Sequence, residues 1–253
     1  MENTYSVKLL ERRQWREGLV SLRFEKPEGF VFKPGQFARL GLETPDGYVA
    51  RAYSMASLPS EPFLEFFIVA VPGGVLSPRL TSLKAGESVF LEKELFGNMI
   101  PTRIPGGNTL WMLASGTGLA PFISICRDES MWQMWPTHIL VHSVRKAEDL
   151  AYIDKIQSIA ADSSLGGGKG RKLIHIPVVT REATEFLSQR IPALIEQGVL
   201  ADKAGVPMDP ENSRILLCGN PEMIQSVRDT LKPLGFKAPR RGNPGNLLSE
   251  NLW

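Results

Sequence analysis

The sequence predicts a β + α/β protein, a six-stranded antiparallel barrel followed by a doubly wound parallel sheet with crossover helices. Three observations predict it. Up to about residue 101 the apolar residues come in short, largely alternating stretches set between Gly and Pro, the pattern of half-buried antiparallel strands. From residue 108 strand and helix patterns alternate, which is the sequence form of a parallel sheet. The chain has 253 residues, enough for about two domains by a soft length prior, and its 23 Gly and 19 Pro cut it into many short elements.

In the first half Tyr5, Val7 and Leu9 alternate, as do Val20, Leu22 and Phe24, and Phe37 is followed less strictly by Leu40 and Leu42. Further strands are expected over Tyr48 to Ser54, Leu64 to Val71 and Ser88 to Leu95, with turns at Pro34-Gly35, Asp46-Gly47 and Ala85-Gly86. One short helix, Leu76 to Leu83, precedes the last of them. Pro101 to Asn108 reads as the linker, dividing the chain into domains 1–101 and 102–253. Beyond it, strands are expected over Thr109 to Ala114, His138 to Val144, Leu173 to Val179 and Arg214 to Gly219. Helices are expected over Ala120 to Trp132, Glu148 to Ala161, Ile191 to Gln197 and Pro221 to Leu234. The Gly-rich stretch Ser163 to Lys172 lacks the Ser or Thr that follows Gly-Lys in a phosphate cradle, and a strand comes next where that cradle needs a helix; it reads as a flexible connection.

Composition narrows the function. Net charge is +2, too small for bulk electrostatics to select nucleic acid or a membrane surface. Two Cys and three His cannot supply a disulfide framework or a four-Cys iron–sulfur or zinc site, so redox chemistry would need a borrowed organic cofactor. The start lacks the basic head and apolar run of an export signal, and the expectation is a cytoplasmic protein. The longest apolar run, Phe66 to Val71, falls far below the ~18 residues of a membrane helix, so none is expected.

Three segments carry chemistry. Ala114 to Pro121 (ASGTGLAP) joins a strand to a helix; Gly116 and Gly118 permit a tight turn and a close backbone approach, and the helix N-terminus suits a pyrophosphate. Taken alone, the same residues equally describe an ordinary strand-to-helix turn. After the next strand comes Arg145, after the third Arg181, and Arg190 opens the helix that follows; three guanidiniums at one end of a sheet could converge on a 2′-phosphate, or be solvated surface arginines. Glu148 and Asp149 lie slightly too far along to serve as a ribose-binding acid. In the barrel, Arg51-Ala52-Tyr53-Ser54 ends a strand, and alternation puts Arg51 and Tyr53 on one face, a cation and an aromatic plane together. A barrel tyrosine is also a common core residue. Gly73 to Leu80 adds an anion seat at a short helix start, with Ser77 in it.

Taken in order, these residues resemble the bacterial-type ferredoxin/flavodoxin–NADP reductases over essentially the whole chain. The resemblance implies a Greek-key FAD-binding barrel and an NADP-binding α/β domain. It assigns FAD to Arg51, Ala52, Tyr53 and Ser54, to Phe67, Ile68 and Val69, to Val75, Leu76 and Ser77, and to Thr117. HSVRKAEDLAY, TRE and RIPALIE resemble the NADP segments, which implicates Val144 and Arg145, Thr180 and Arg181, and Arg190 alongside Gly116, Thr117 and Gly118. Cys218-Gly219-Asn220-Pro221-Glu222-Met223 resembles the CGNPxM motif that closes over the nicotinamide side. The chain ends on Leu252 and Trp253; by resemblance Trp253 stacks on the FAD adenine and Leu252 lies near the ring face away from Tyr53, where relatives often carry Tyr.

The implied activity is hydride exchange between NADPH C4 and flavin N5, coupled to one-electron transfer with ferredoxin or flavodoxin. Such transfer needs aligned rings more than a protein acid or base. Ser54 would stabilise or relay a proton at N5, Cys218 would pack beside the nicotinamide, and Glu250 would place a charge near the ring or be simply solvated. His138, His142 and His175 lie in strand patterns and read as structural. No metal, nucleic acid or membrane is implied, and a monomer is the default. A flavin or siderophore reductase without a protein acceptor, and a flavin-binding module without turnover, are the competing readings.

Overall fold

A computed structural model of the chain describes residues 3–45 and 47–251. In the first half six strands, β1 (Thr4–Arg16), β2 (Leu19–Glu25), β3 (Phe37–Thr44), β4 (Gly47–Ser54), β5 (Phe63–Val69) and β6 (Ser88–Glu92), form one antiparallel sheet in the order β4-β3-β6-β1-β2-β5. Register shifts at Leu9/Glu11 and Gln14/Arg16 bend β1, so its first part pairs with β6 and the rest with β2. The edge strands meet through the bridge pair Met55 and Phe66, which curls the sheet around a core of Val7, Leu22, Phe24, Leu40, Phe66 and Leu91. Helix α1 (Ser77–Ser82) adds Leu80 to that core. The alternation in β5 sorts its residues: Leu64, Phe66 and Ile68 enter the barrel, while Phe67 joins the second core described below.

The second half holds β7 (Thr109–Ser115), α2 (Ala120–Arg127), α3 (Glu129–Met134), β8 (Thr137–Val144), α4 (Ile153–Ala161) and β9 (Lys172–Val179). There follow α5 (Ile191–Glu196), α6 (Val199–Ala204), β10 (Ser213–Gly219), α7 (Pro221–Leu231) and β11 (Leu247–Asn251). The five strands are parallel in the order β11-β10-β7-β8-β9. Every residue of β10 and nearly every residue of β7 is buried, as expected of central parallel strands covered on both faces. From β7 the chain builds outward through β8 and β9, then returns to the other side of β7 with β10. The strand order therefore reverses between β7 and β10, and a crevice at their carboxyl ends is where such sheets bind ligands.

The expected strands agree with these within a few residues except β1, which runs on past Leu9 to Arg16; several other boundaries shift for local reasons. The helix expected over Ala120 to Trp132 is two helices, because Asp128 turns extended and caps α3 by accepting the Ser130 N–H at 2.9 Å. The helix expected from Glu148 starts only at Ile153, after a 3-10 turn at 147–149 and a left-handed Tyr152. That expected to reach Leu234 ends at Leu231, two residues short of Pro233. α6 and β11 were not expected. No helix among the described residues is long and apolar enough to cross a membrane.

Packing does not stop at the linker. One core cluster takes Leu19, Ala56 and Phe67 from the barrel together with Met112, Phe122 and Tyr152 from the second half, and Ile104 of the linker is buried in it. Polar bonds cross as well: Ser124 donates to the Ser57 carbonyl at 2.7 Å, and Arg127 forks onto Glu61 at 3.0 and 2.5 Å.

Candidate functional site

The barrel contributes its β4 rim. Arg51 is exposed and, among the described residues, its Nη1 donates only to its own neighbour, the Ala50 carbonyl, at 2.8 Å. Tyr53 packs partly against the barrel core, and burial, against the opposing charge of Arg51, raises its pKa to about 12; it stays a neutral phenol. Ser54 is buried, and its hydroxyl has no hydrogen-bond partner among the described residues. A buried hydroxyl left unmet costs about 1–3 kcal/mol, so Ser54 is the residue of the tetrapeptide that most needs a partner the described residues do not supply. Phe67 lies in the shared core, Val69 is half-buried, and Ile68 points into the barrel, which leaves only its backbone to face the site. In the turn before α1, the Val71 N–H donates to Ser77 Oγ at 3.0 Å and the Gly74 N–H to the Val71 carbonyl at 2.9 Å. Leu76 is sunk in the core and Val75 is exposed.

The second half contributes the carboxyl ends of β7 and β10, and here backbone packs on backbone. Gly116 to Leu119 form a 3-10 turn into α2, with Thr117 buried and Gly116 at φ +54. A Cβ on Gly118 would stand 2.5 Å from the carbonyl carbon of Cys218, and one on Gly219, at φ +140, would stand 2.7 Å from the Ser115 carbonyl oxygen. The two loops interlock through their glycines, so Gly118 is required by β10 itself as well as by any ligand. Asn220 completes the junction: its N–H donates to Ser115 Oγ at 2.9 Å, and its Oδ1 caps α7 by accepting the Glu222 and Met223 N–H groups, with Pro221 at the first helical position.

Ser115 and His142 stand inside the ASGTGLAP and HSVRKAEDLAY segments but have no role assigned to them there; His142 Nε2 lies 3.0 Å from the Gly116 carbonyl. Burial lowers the pKa of His142 to about 4, so the ring is neutral and Nε2–H donates, pinning the glycine turn. His138 and His175 are likewise neutral, held by burial at about 3 and about 4, and His138 stacks on Trp132 at 3.7 Å. No group of three His, Cys, Asp or Glu among the described residues could hold a metal ion.

The arginines lie at the far ends of β8 and β9. The Thr180 N–H and hydroxyl both donate to the buried Val144 carbonyl group, and the Arg181 N–H donates to the Arg145 carbonyl at 2.9 Å, which holds the two strand ends side by side. Arg190 stands at the N-terminal boundary of α5. All three are exposed, and none of the three guanidiniums has an ion-pair partner among the described residues. Asp149, by contrast, pairs with Arg16 at 2.6 Å.

Two further expected residues lie on the paired strands β10 and β11. The Cys218 thiol is wholly buried, its pKa raised by burial and by nearby Glu250, so it is inert packing at the end of β10. Glu250 sits beside Cys218 in the β10–β11 register, and its Oε2 accepts the Asn98 N–H at 2.9 Å, so the carboxylate ties β11 to the linker region. Leu252 and Trp253 lie outside the described residues.

Comparison with known proteins bears on this arrangement. A family model described as the oxidoreductase NAD-binding domain matches residues 112–229. Ferredoxin–NADP reductase A of Sorangium cellulosum is 38% identical over 247 residues, covering 97% of this chain and 88% of its own. The flavodoxin/ferredoxin–NADP reductase of Escherichia coli K12 is 37% identical over 254 residues, the full length of both. Among solved structures, a ferredoxin NADP+ reductase from Neisseria gonorrhoeae with bound FAD and NADP superposes with a TM-score of 0.91 at 31% identity, over 99% of each chain.

Proposed function

The chain belongs to the ferredoxin/flavodoxin–NADP reductases, and from that premise we propose how its own residues divide the work. Residues 1–101 hold FAD, and residues 102–253 hold NADP(H). When bound, FAD accepts hydride from nicotinamide C4 at N5 and exchanges electrons singly with ferredoxin or flavodoxin.

The barrel rim fits such a group. Arg51 supplies a cation for the diphosphate, Tyr53 a neutral aromatic face for the ring, and Ser54 a hydroxyl whose hydrogen-bonding capacity is unmet among the described residues. Phe67 closes the apolar side against water, and the 75–77 turn offers backbone N–H groups to phosphate. On the other side Gly116, Thr117 and Gly118 face Gly219, Asn220 and Pro221 across the switch point, the place for the pyrophosphate and nicotinamide. Arg145, Arg181 and Arg190 take the 2′-phosphate. Cys218 acts by packing alone, and Glu250 by anchoring β11.

The observation that carries the choice of NADPH is the pair of unpartnered guanidiniums on Arg145 and Arg181, whose backbones are bonded to each other at 2.9 Å. Stopped-flow reduction by NADPH and by NADH tests it. Arg145→Ala raises the NADPH KM by about 10- to 100-fold, the worth of a hydrogen bond to a charged group, and leaves NADH use nearly unchanged. Equal losses with both nucleotides would remove the 2′-phosphate assignment. The reading further takes the enzyme to work as a monomer in the cytoplasm, which sedimentation velocity and cell fractionation address.

A further inference from the structure

A chain of buried hydroxyls crosses from the barrel to the segment between β8 and α4. Trp15 Nε1–H donates to Ser21 Oγ at 2.8 Å, Ser21 Oγ lies 2.5 Å from the Tyr152 hydroxyl, and Tyr152 donates to Glu65 Oε1 at 2.7 Å. Glu65 receives Arg23 on its other oxygen at 2.8 Å. Proton counting fixes every direction. Tyr152 has one hydroxyl proton and gives it to the carboxylate, so Ser21 gives its own to the tyrosine oxygen and is left to accept from the indole. Ser21, Glu65 and Tyr152 are all buried, and burial together with the Glu65 charge raises the tyrosine pKa, which keeps it a donor.

Tyr152 is also the one non-glycine residue with positive φ among those described, at φ 62. Such a backbone persists where surroundings over-determine it, and here the ring is held between Trp15 at 4.8 Å and Phe67 at 5.3 Å. The same segment is tied twice more: Arg16 grips Asp149 at 2.6 Å, and the Ala147 N–H donates to Glu182 at 2.7 Å. Segment 145–152 thus begins with an arginine assigned to NADP and ends on a tyrosine bonded to β5, two residues before Phe67.

We propose that Tyr152 is a positioning residue, a latch that fixes the NADP-holding segment to the strand lining the flavin and so sets the spacing of the two rings. The latch rests on the placement of NADP at Arg145 and of FAD beside Phe67 given above. It acts on alignment and leaves both affinities alone, since no atom of the network belongs to either binding set.

Tyr152→Phe removes the hydroxyl and keeps the ring. In the FAD-loaded protein its limiting rate of reduction by NADPH falls about tenfold, the scale expected of a sub-ångström misalignment. The Kd for NADP+ and the flavin absorption spectrum stay at wild-type values. Hydrogen exchange of amides 145–152 quickens while that of β10 does not. Ser21→Ala, which leaves the Tyr152–Glu65 bond, lowers the rate in the same direction by about threefold. An unchanged rate, unchanged exchange, or a parallel loss of rate, NADP+ affinity and FAD would each overturn the latch. Failure of the wild-type protein to be reduced by NADPH would instead strike the functional reading.

Discussion

The two sides of the site are made from different material. At the β4 rim the functional atoms belong to side chains on an edge strand: Arg51 is in solvent, Tyr53 is shared with the barrel core, and Ser54 waits for a partner. At the switch point they belong to backbone, with Gly118 and Gly219 seated against Cys218 and Ser115 and every residue of β10 buried. Side-chain sites can be altered in steps. A site made by main chain on main chain has no intermediate states, because nothing flexible stands between the two loops to give way.

The largest effect that would test this contrast is at Gly118. Gly118→Ala places a methyl group against the Cys218 carbonyl, and the expected loss is about 3 kcal/mol or more, the upper end for overpacking. Urea unfolding monitored by Trp fluorescence measures it. Wild-type stability would show that the loops can separate and would erase the contrast.

Acid probes the same side more gently. His142 has its pKa lowered by burial to about 4, below the 6.5 of the unfolded chain. The unfolded state therefore binds the extra proton first as pH falls. The contribution is complete above pH 6.5 and is lost progressively down to about pH 4, on the order of 3 kcal/mol for this one ring. Tm should be flat in this respect above neutrality and decline below pH 6.5, and His142→Gln should flatten part of the decline. An equally steep profile in that variant would exclude His142 as a source.

The rim is expected to respond by binding more than by folding. Tyr53→Ala weakens FAD by about 1–3 kcal/mol, the scale of ring stacking with the aromatic body buried, and perturbs the flavin spectrum. Unchanged affinity and spectrum would remove Tyr53 from the ring face. The smallest loss is at Ser54. Because its hydroxyl has no partner among the described residues, Ser54→Ala should leave the FAD-free protein at least as stable as wild type, by up to about 1–3 kcal/mol, while slowing reduction of the loaded enzyme. Clear destabilisation of the FAD-free protein would mean that the hydroxyl serves the fold.

The fold was legible where burial forces a pattern. Strands β7, β8 and β10 are near-continuous apolar runs, and their boundaries read from sequence agree with the structure to within one residue. β11 escaped because Leu247–Asn251 carries two apolar residues after a Pro/Gly-rich stretch and takes its identity from pairing with β10. α6 is too short for a periodic signal. At the site, motifs single out Gly116, Gly118, Arg145, Arg181 and Asn220, but not what holds them. The grip of Ser115 on Asn220 spans 105 residues and that of Tyr152 on Ser21 spans 131, and no local pattern encodes a partner at such separation. Cys218 and Glu250 read as chemistry from their neighbourhood in sequence, and the structure adds that Cys218 is buried and that Glu250 accepts from the Asn98 N–H.

The shared core has a bearing on how such a chain can be recombined. Leu19, Ala56 and Phe67 pack on residues from beyond the linker, and Ile104 of the linker is itself interior. A graft that joins this barrel to another reductase's nucleotide half at residue 101 would therefore cut through a packed interior rather than along a seam. Productive crossovers would carry the β5 face and the Trp15–Ser21 hairpin with the half they touch. The inheritable unit is the joint, and the two halves on either side of it are the parts that can be exchanged only once it is preserved.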